Sequence, residues 1–241
     1  MLQFAILPFT LILVAGSALF LIPANRVATQ ESRPVVQNVN KMPDQSLPTK
    51  SLATDLIKDF NPSKGPKDAK VTVIEFMDFQ CPACGAIYPV EEIVSKKYDS
   101  NVRFVFKMFP LKALHKNAES AAKSALAAAK QGKYFEYVDK LFTSQNEPGI
   151  DPINQEQLAK DLGINLEQWK KDRESAEIAN YIETDYNDGI NARIPSESNP
   201  LQTESVDSTP TFVFIKNGQI QYKTNGLTTD DFSQKLDELL Q

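Results

Sequence analysis

The chain has 241 residues, 41% of them apolar, and a net charge of −5. That length supports one domain of ordinary size with a real core, and the mild acidity gives no basis for nucleic-acid binding. Two cysteines and one histidine exclude a four-ligand structural zinc site of the Cys/His kind, so no metal and no cofactor is expected.

The chain opens on an apolar run, Phe4 to Ile22. At about 1.5 Å per residue such a helix nearly spans a bilayer core, and it is longer than the usual signal-peptide core. Gly16, Ser17 and Ala18 lie inside the run, and a cut after Ala24 has Ile22 where a small residue is preferred. Residues 1–23 are therefore expected to be a transmembrane anchor, or alternatively a cleaved signal. No Lys or Arg precedes the span, while Arg26, Arg33 and Lys41 follow it. Taken alone, that pattern would keep the following chain in the cytoplasm. Residues 24–50 are polar, carry Pro34, Pro43 and Pro48, and read as a flexible linker. Leu52, Leu56, Ile57 and Phe60 make a short helix, ended by the turn Asn61-Pro62-Ser63-Lys64-Gly65-Pro66, so 51–66 is a helix and turn ahead of a domain at 67–241.

Val71 to Met77 is an apolar, β-branched run that reads as a buried central strand. Both cysteines follow it in Phe79-Gln80-Cys81-Pro82-Ala83-Cys84, and then Ile87, Val90, Ile93 and Val94 recur at helical spacing to about Lys97. Pro82 suits the first helical positions, and Pro89 lies inside the helix. A disulfide across two intervening residues closes too small a loop to be a useful staple. Placed between strand and helix, the pair instead gains amide donors and the helix dipole, which favour a thiolate. Cys81, nearest the helix end, is the expected nucleophile, and Cys84, one turn in, the more buried resolving thiol. Glu75 is an acid in an apolar strand. Strand periodicity points it inward, where burial raises its pKa and fits it to pass a proton to or from Cys84.

Val102 to Lys107 reads as a second strand, parallel to the first through the helical crossover. Residues 111–188 read as a helical insertion, with His115 at the start of an alanine-rich helix, where a local structural contact is its expected role. Residues 189–207 read as a polar loop, either a surface lid or simple disorder. Thr211 to Ile215 and Gln219 to Lys223 are joined by Lys216-Asn217-Gly218, a hairpin signal, and a last amphipathic helix follows Asp230. The order is β-α-β, helices, β-β-α: an α/β, thioredoxin-like fold with a mixed central sheet and a helical domain between its halves. Pro210 opens the third strand. A trans bond there would be ordinary, whereas a cis bond would set Thr209 beside Cys81, its backbone free to pair with an extended substrate chain. Pro82 and Ala83, with Phe79 and Gln80, shape the surface around the pair.

The stretch Val73 to Cys84 resembles the active-site segment of DsbA-like thiol-disulfide oxidoreductases. Phe109-Pro110-Leu111 with His115, Gln131-Gly132-Lys133-Tyr134-Phe135, and Thr209-Pro210-Thr211-Phe212-Val213 are similar to further segments of that family. The resemblance covers about Lys67 to Gln241. It implies Cys81 as attacking thiol, Cys84 as partner, Glu75 as buried acid and Pro210 as a cis proline. Family members are exported, some of them membrane-tethered. The expectation is therefore a single N-terminal span with the catalytic domain in the periplasm or cell exterior, or a secreted form if the signal is cleaved. The implied function is to introduce disulfides into cysteine-containing exported client proteins, with a membrane or extracytoplasmic redox partner. The alternatives are a disulfide reductase or isomerase, and a redox-inactive chaperone or peptide-binding module. Two features depart from the family: Pro82-Ala83 stands where its best-known oxidases carry Pro-His, and the 189–207 loop delays the Thr-Pro strand.

Overall fold

The computed structural model describes residues 52–145, 152–199 and 201–241, so the expected anchor and linker lie outside it. No helix among the described residues is long and apolar enough to cross a membrane. The elements run α1 (Ala53–Leu56), β1 (Ser63–Lys64), β2 (Val71–Met77), α2 (Pro82–Lys97), β3 (Val102–Met108) and α3 (Ala118–Ala129). Then come α4 (Tyr134–Thr143), α5 (Pro152–Asp161), α6 (Leu166–Arg173) and α7 (Ala176–Ile190). The chain closes with β4 (Ile194–Pro195), β5 (Thr203–Glu204), β6 (Thr211–Lys216), β7 (Gln219–Thr224) and α8 (Thr229–Leu240).

Five strands form one sheet in the order β1-β3-β2-β6-β7. The β2–β3 pair is parallel and the others are antiparallel, so the sheet is mixed as expected. All seven residues of β2 are buried, because the strand is central and covered on both faces. Alternation then sorts its side chains. Val71, Val73 and Met77 join one core with α2, α8 and the inserted helices, alongside Phe104, Phe106, Phe212 and Phe214. Ile74 and Phe76 join a second core on the other face with Leu56, Val105, Val213 and Ile215. Glu75 alternates with Val73 and Met77. It therefore belongs to the first face, the one that also holds Cys84. The hairpin between β6 and β7 turns through Asn217 (φ 50°) and Gly218 (φ 75°), the left-handed pair that a tight hairpin needs.

Four expectations change. The loop at 189–207 is partly structured: β4 and β5 pair as a small antiparallel ribbon, and Ile194 and Val206 pack into the second core. Apolar residues spaced among polar ones were enough to seat it. Segment 51–66 also holds a strand, since β1 pairs antiparallel to the edge of β3, with Ser63 opposite Val105. In α2, which runs on through Pro89, the buried face is Cys84, Ile87, Tyr88, Glu91, Val94 and Ser95, while Ile93 is 58% exposed. The stripe is rotated from the apolar spacing because a glutamate occupies one of its inner positions. The helical insertion runs from Ala118 to Ile190, and 111–117 is turn rather than helix.

Candidate active site

Cys81 is the N-cap residue of α2, in extended conformation, and Pro82 takes the first helical position, where no amide is missed. Cys84 lies one turn into the helix. Both are free thiols, 7% and 1% exposed respectively. Their surroundings drive their acidities apart. The Cys84 thiol donates to Cys81, which lowers the Cys81 pKa from 9.0 to about 5, against the opposing effect of burial. The backbone amides of Cys84 and Ala83 add to that lowering. Cys84 moves the other way: burial, the bond it gives to Cys81 and the nearby Glu75 hold its pKa well above the usual thiol value.

The Thr209–Pro210 bond is cis, and the Thr209 carbonyl lies 3.4 Å from the Cys81 sulfur as hydrogen-bond acceptor. The Thr209 hydroxyl is buried with no hydrogen-bond partner among the described residues. Beside it runs an apolar groove of about 610 Å³, lined by Ala83, Ile87, Val90, Thr209, Pro210 and Leu227 among others. Of the rim residues expected from sequence, Ala83, Thr209 and Pro210 meet in this groove.

Below the pair, Glu75 is 3% exposed. Its pKa is raised well above the ordinary value, first by burial and then by Glu91. Glu91, from the inner face of α2, is 2% exposed and hydrogen-bonds to it. Lys64 on β1 offsets both acids.

The turn into the site is held from two sides. The buried Asp78 carboxylate accepts from the Gln80 amide at 2.7 Å, the Leu111 amide at 2.8 Å and the His115 ring at 2.8 Å. His115 therefore makes a side-chain contact with the active-site turn itself. From the end of α4, the Gln145 amide donates to the carbonyls of Phe79 and Cys81 at 2.9 and 2.7 Å. Gly85 admits that clamp, since a Cβ there would fall 1.8 Å from the Gln145 oxygen.

Sequence reasoning missed Glu91, Lys64, Asp78 and Gln145. Glu91 had a signal, seven residues after Cys84 and so on the same face of the helix. Asp78 sits three residues before Cys81 but is marked only by its contacts. Lys64 and Gln145 reach the site through tertiary pairing, with no local pattern to show it. Among the described residues no cluster of three His, Cys, Asp or Glu side chains is arranged to hold a metal ion.

Comparison with known proteins places this arrangement. The Thioredoxin family model (Thioredoxin_4) matches residues 60–238. Among curated proteins, the Na(+)/H(+) antiporter NhaA 3 of Salinispora tropica is 34% identical over 152 residues, 62% of this chain. The chain spans only 21% of that antiporter's length, so the likeness is to one segment of it. Among solved structures, a thioredoxin-like oxidoreductase from Silicibacter pomeroyi DSS-3 superposes with TM-score 0.57 at 24% identity, covering 75% of this chain and 92% of that one. Wolbachia pipientis alpha-DsbA1 gives TM-score 0.64 at 20% identity, covering 77% of this chain and 93% of its own. The chain belongs to the thioredoxin family, and its fold is the DsbA-like form in which helices are inserted between the two halves of the sheet.

Proposed function

We propose that the chain is a thiol-disulfide oxidoreductase that introduces disulfides into exported proteins through a Cys81–Cys84 dithiol/disulfide cycle. The observation that carries this reading is the placement of two free thiols at the head of α2, Cys81 at the N-cap beside the Thr209 carbonyl and Cys84 buried one turn in, where their surroundings drive their acidities apart. A substrate thiolate attacks the Cys81 sulfur of the disulfide. The S–S electron pair leaves on Cys84, which takes up a proton. A second substrate thiolate then attacks the substrate sulfur of the mixed disulfide and expels Cys81 as a thiolate. The substrate loses two electrons and forms its disulfide, and the enzyme gains two and becomes the dithiol. A membrane or extracytoplasmic oxidant returns it to the disulfide.

Each site residue then has a role. Cys81 is the sulfur attacked, and it leaves easily because its thiolate is stable. An acidic leaving thiol favours the reduced form, which makes the disulfide oxidising. Glu75 exchanges a proton with Cys84. The Thr209 carbonyl and amide, set beside Cys81 ahead of Pro210, pair with an extended client segment, and the groove of Ala83, Ile87 and Leu227 takes its apolar side chain. The apolar run at 4–22 supports a membrane anchor with this domain on the extracytoplasmic side, where disulfides persist.

The reduction potential of the Cys81–Cys84 couple tests the direction of flow. The reading expects a value less negative than about −180 mV, among proteins that donate disulfides. A value near about −270 mV, the thioredoxin range, would make the chain a reductase instead.

A further inference from the structure

Burying two carboxyls side by side is costly, and this protein does it beneath its reactive sulfurs. Glu75 on β2 and Glu91 on α2 are 3% and 2% exposed and hydrogen-bond to one another. A hydrogen bond between two carboxyls needs one proton between them, because neither carboxylate can donate. One Glu75 oxygen, Oε2, is buried with no hydrogen-bond partner among the described residues. The groups around the pair are few. Lys64 comes from β1; Cys84, Tyr88 and Glu92 from α2; and Tyr134 from α4. Lys64 is the one cation among them. Its ammonium lies over the rings of Phe106 and Phe135, at 5.8 and 4.8 Å from their centroids, and reaches the surface through an ion pair with Glu92.

One cation cannot neutralise two buried acids as well as Glu92. The arrangement is stable with one acid ionised and the other protonated. Glu75 faces the same core as Cys84, and when ionised it raises that thiol's pKa. Glu91 lies further along α2, hydrogen-bonds to Glu75 and lies within the fields of the Lys64 and Glu92 charges.

We propose that Glu91 is a positioning residue whose carboxylate, balanced by Lys64, keeps the shared proton on Glu75 at neutral pH. Glu75 is then ready to protonate Cys84 each time the disulfide opens. The proposal rests on the redox reading above and deepens it. As the substrate thiolate bonds to Cys81, the S–S pair passes to Cys84, and the Glu75 proton moves to that sulfur. Glu75 is left as a second buried carboxylate beside Glu91, which drives it to regain a proton from solvent. Glu91 thereby resets the acid for the next cycle without touching either sulfur.

The test is an NMR titration of the side-chain carboxyl carbons of Glu75 and Glu91 in the full chain, oxidised so that no thiol titrates. In the unaltered protein Glu75 stays protonated through neutral pH. Glu91→Gln removes the like charge and supplies an amide donor, so the Glu75 midpoint falls by about one pH unit or more, a tenfold change in its proton affinity. Lys64→Met removes the offsetting cation and moves the midpoint the opposite way, upward. Lys64 reaches the surface, so this second variant keeps the test open should Glu91→Gln fail to fold. A Glu75 midpoint that stays put in both variants, or shifts in the same direction in both, overturns the proposal. The titration needs no turnover, so its failure leaves the redox reading standing. A normal titration in a chain with no disulfide exchange would sink the redox reading alone.

Discussion

The two faces of the central sheet each bury a charged cluster, and the contrast separates a structural group from a chemical one. On the second-core face Lys107 is fully buried, yet every one of its needs is met. It donates to the Leu56 carbonyl at 2.6 Å and pairs with Asp185 and Asp188, each at 2.8 Å. Asp185 in turn accepts from the Asn61 side chain and the Met108 amide, both at 2.9 Å. That network ties α1, β3 and α7 together, fastening the inserted helices to the sheet. On the first-core face, among the described residues, Glu75 and Glu91 share one partly exposed cation, and one Glu75 oxygen has no hydrogen-bond partner. Satisfied buried charge supports a fold. Unsatisfied buried charge next to a reactive sulfur is available for proton transfer.

The largest effect that follows lies on the satisfied side. Lys107→Met leaves Asp185 buried without its cation, and should cost about 3–5 kcal/mol of stability, read by denaturant unfolding. The Cys81 thiol of the folded fraction should keep its acidity, because none of the groups that lower it belongs to this cluster. A loss of Cys81 acidity without loss of stability would reverse the assignment of the two faces.

The smaller effect lies on the unsatisfied side and has the opposite sign. Glu75 has a folded-state pKa above its ordinary 4.5. The folded protein therefore holds that proton more tightly than the unfolded chain, and stability falls as pH rises from about 4.5 towards the folded value. Glu75→Gln removes this burden. It should stabilise the protein at neutral pH by about 1–2 kcal/mol, with the gain shrinking toward acid pH, while disulfide transfer slows for want of the proton. Thermal unfolding at pH 4 and pH 7, set beside transfer rates, checks both halves. A Gln variant less stable at neutral pH would place Glu75 among the supporting charges.

Much of this was legible in the sequence. The strand–CxxC–helix order exposed the dithiol, strand alternation put Glu75 on the face of Cys84, and Lys216-Asn217-Gly218 marked the hairpin that closes the sheet. What stayed hidden needed tertiary pairing or went against a compositional habit. A glutamate in mid-helix reads as solvent-facing, so Glu91 was passed over and Ile93 was given its inner place. Lys64 sits in a segment rich in turn residues, and only the pairing of Ser63 with Val105 brings it over the acids. Gln145 and Asp78 act through backbone carbonyls and amides, which no side-chain pattern records. The 189–207 loop looked polar because the apolar side chains it sends into the second core, Ala192, Ile194 and Val206, are few and interrupted by polar residues.

The account turns on a Cys81 thiol made acidic first by the Cys84 thiol that donates to it from one turn into α2, and then by the amides at the head of that helix. The direct measurement is the pH dependence of its thiolate in the reduced protein, followed by thiolate absorbance or by the rate of alkylation. The structure predicts a midpoint of about 5, with Cys84 still protonated far above it. A midpoint near 9.0, the value of an unperturbed thiol, would contradict the account.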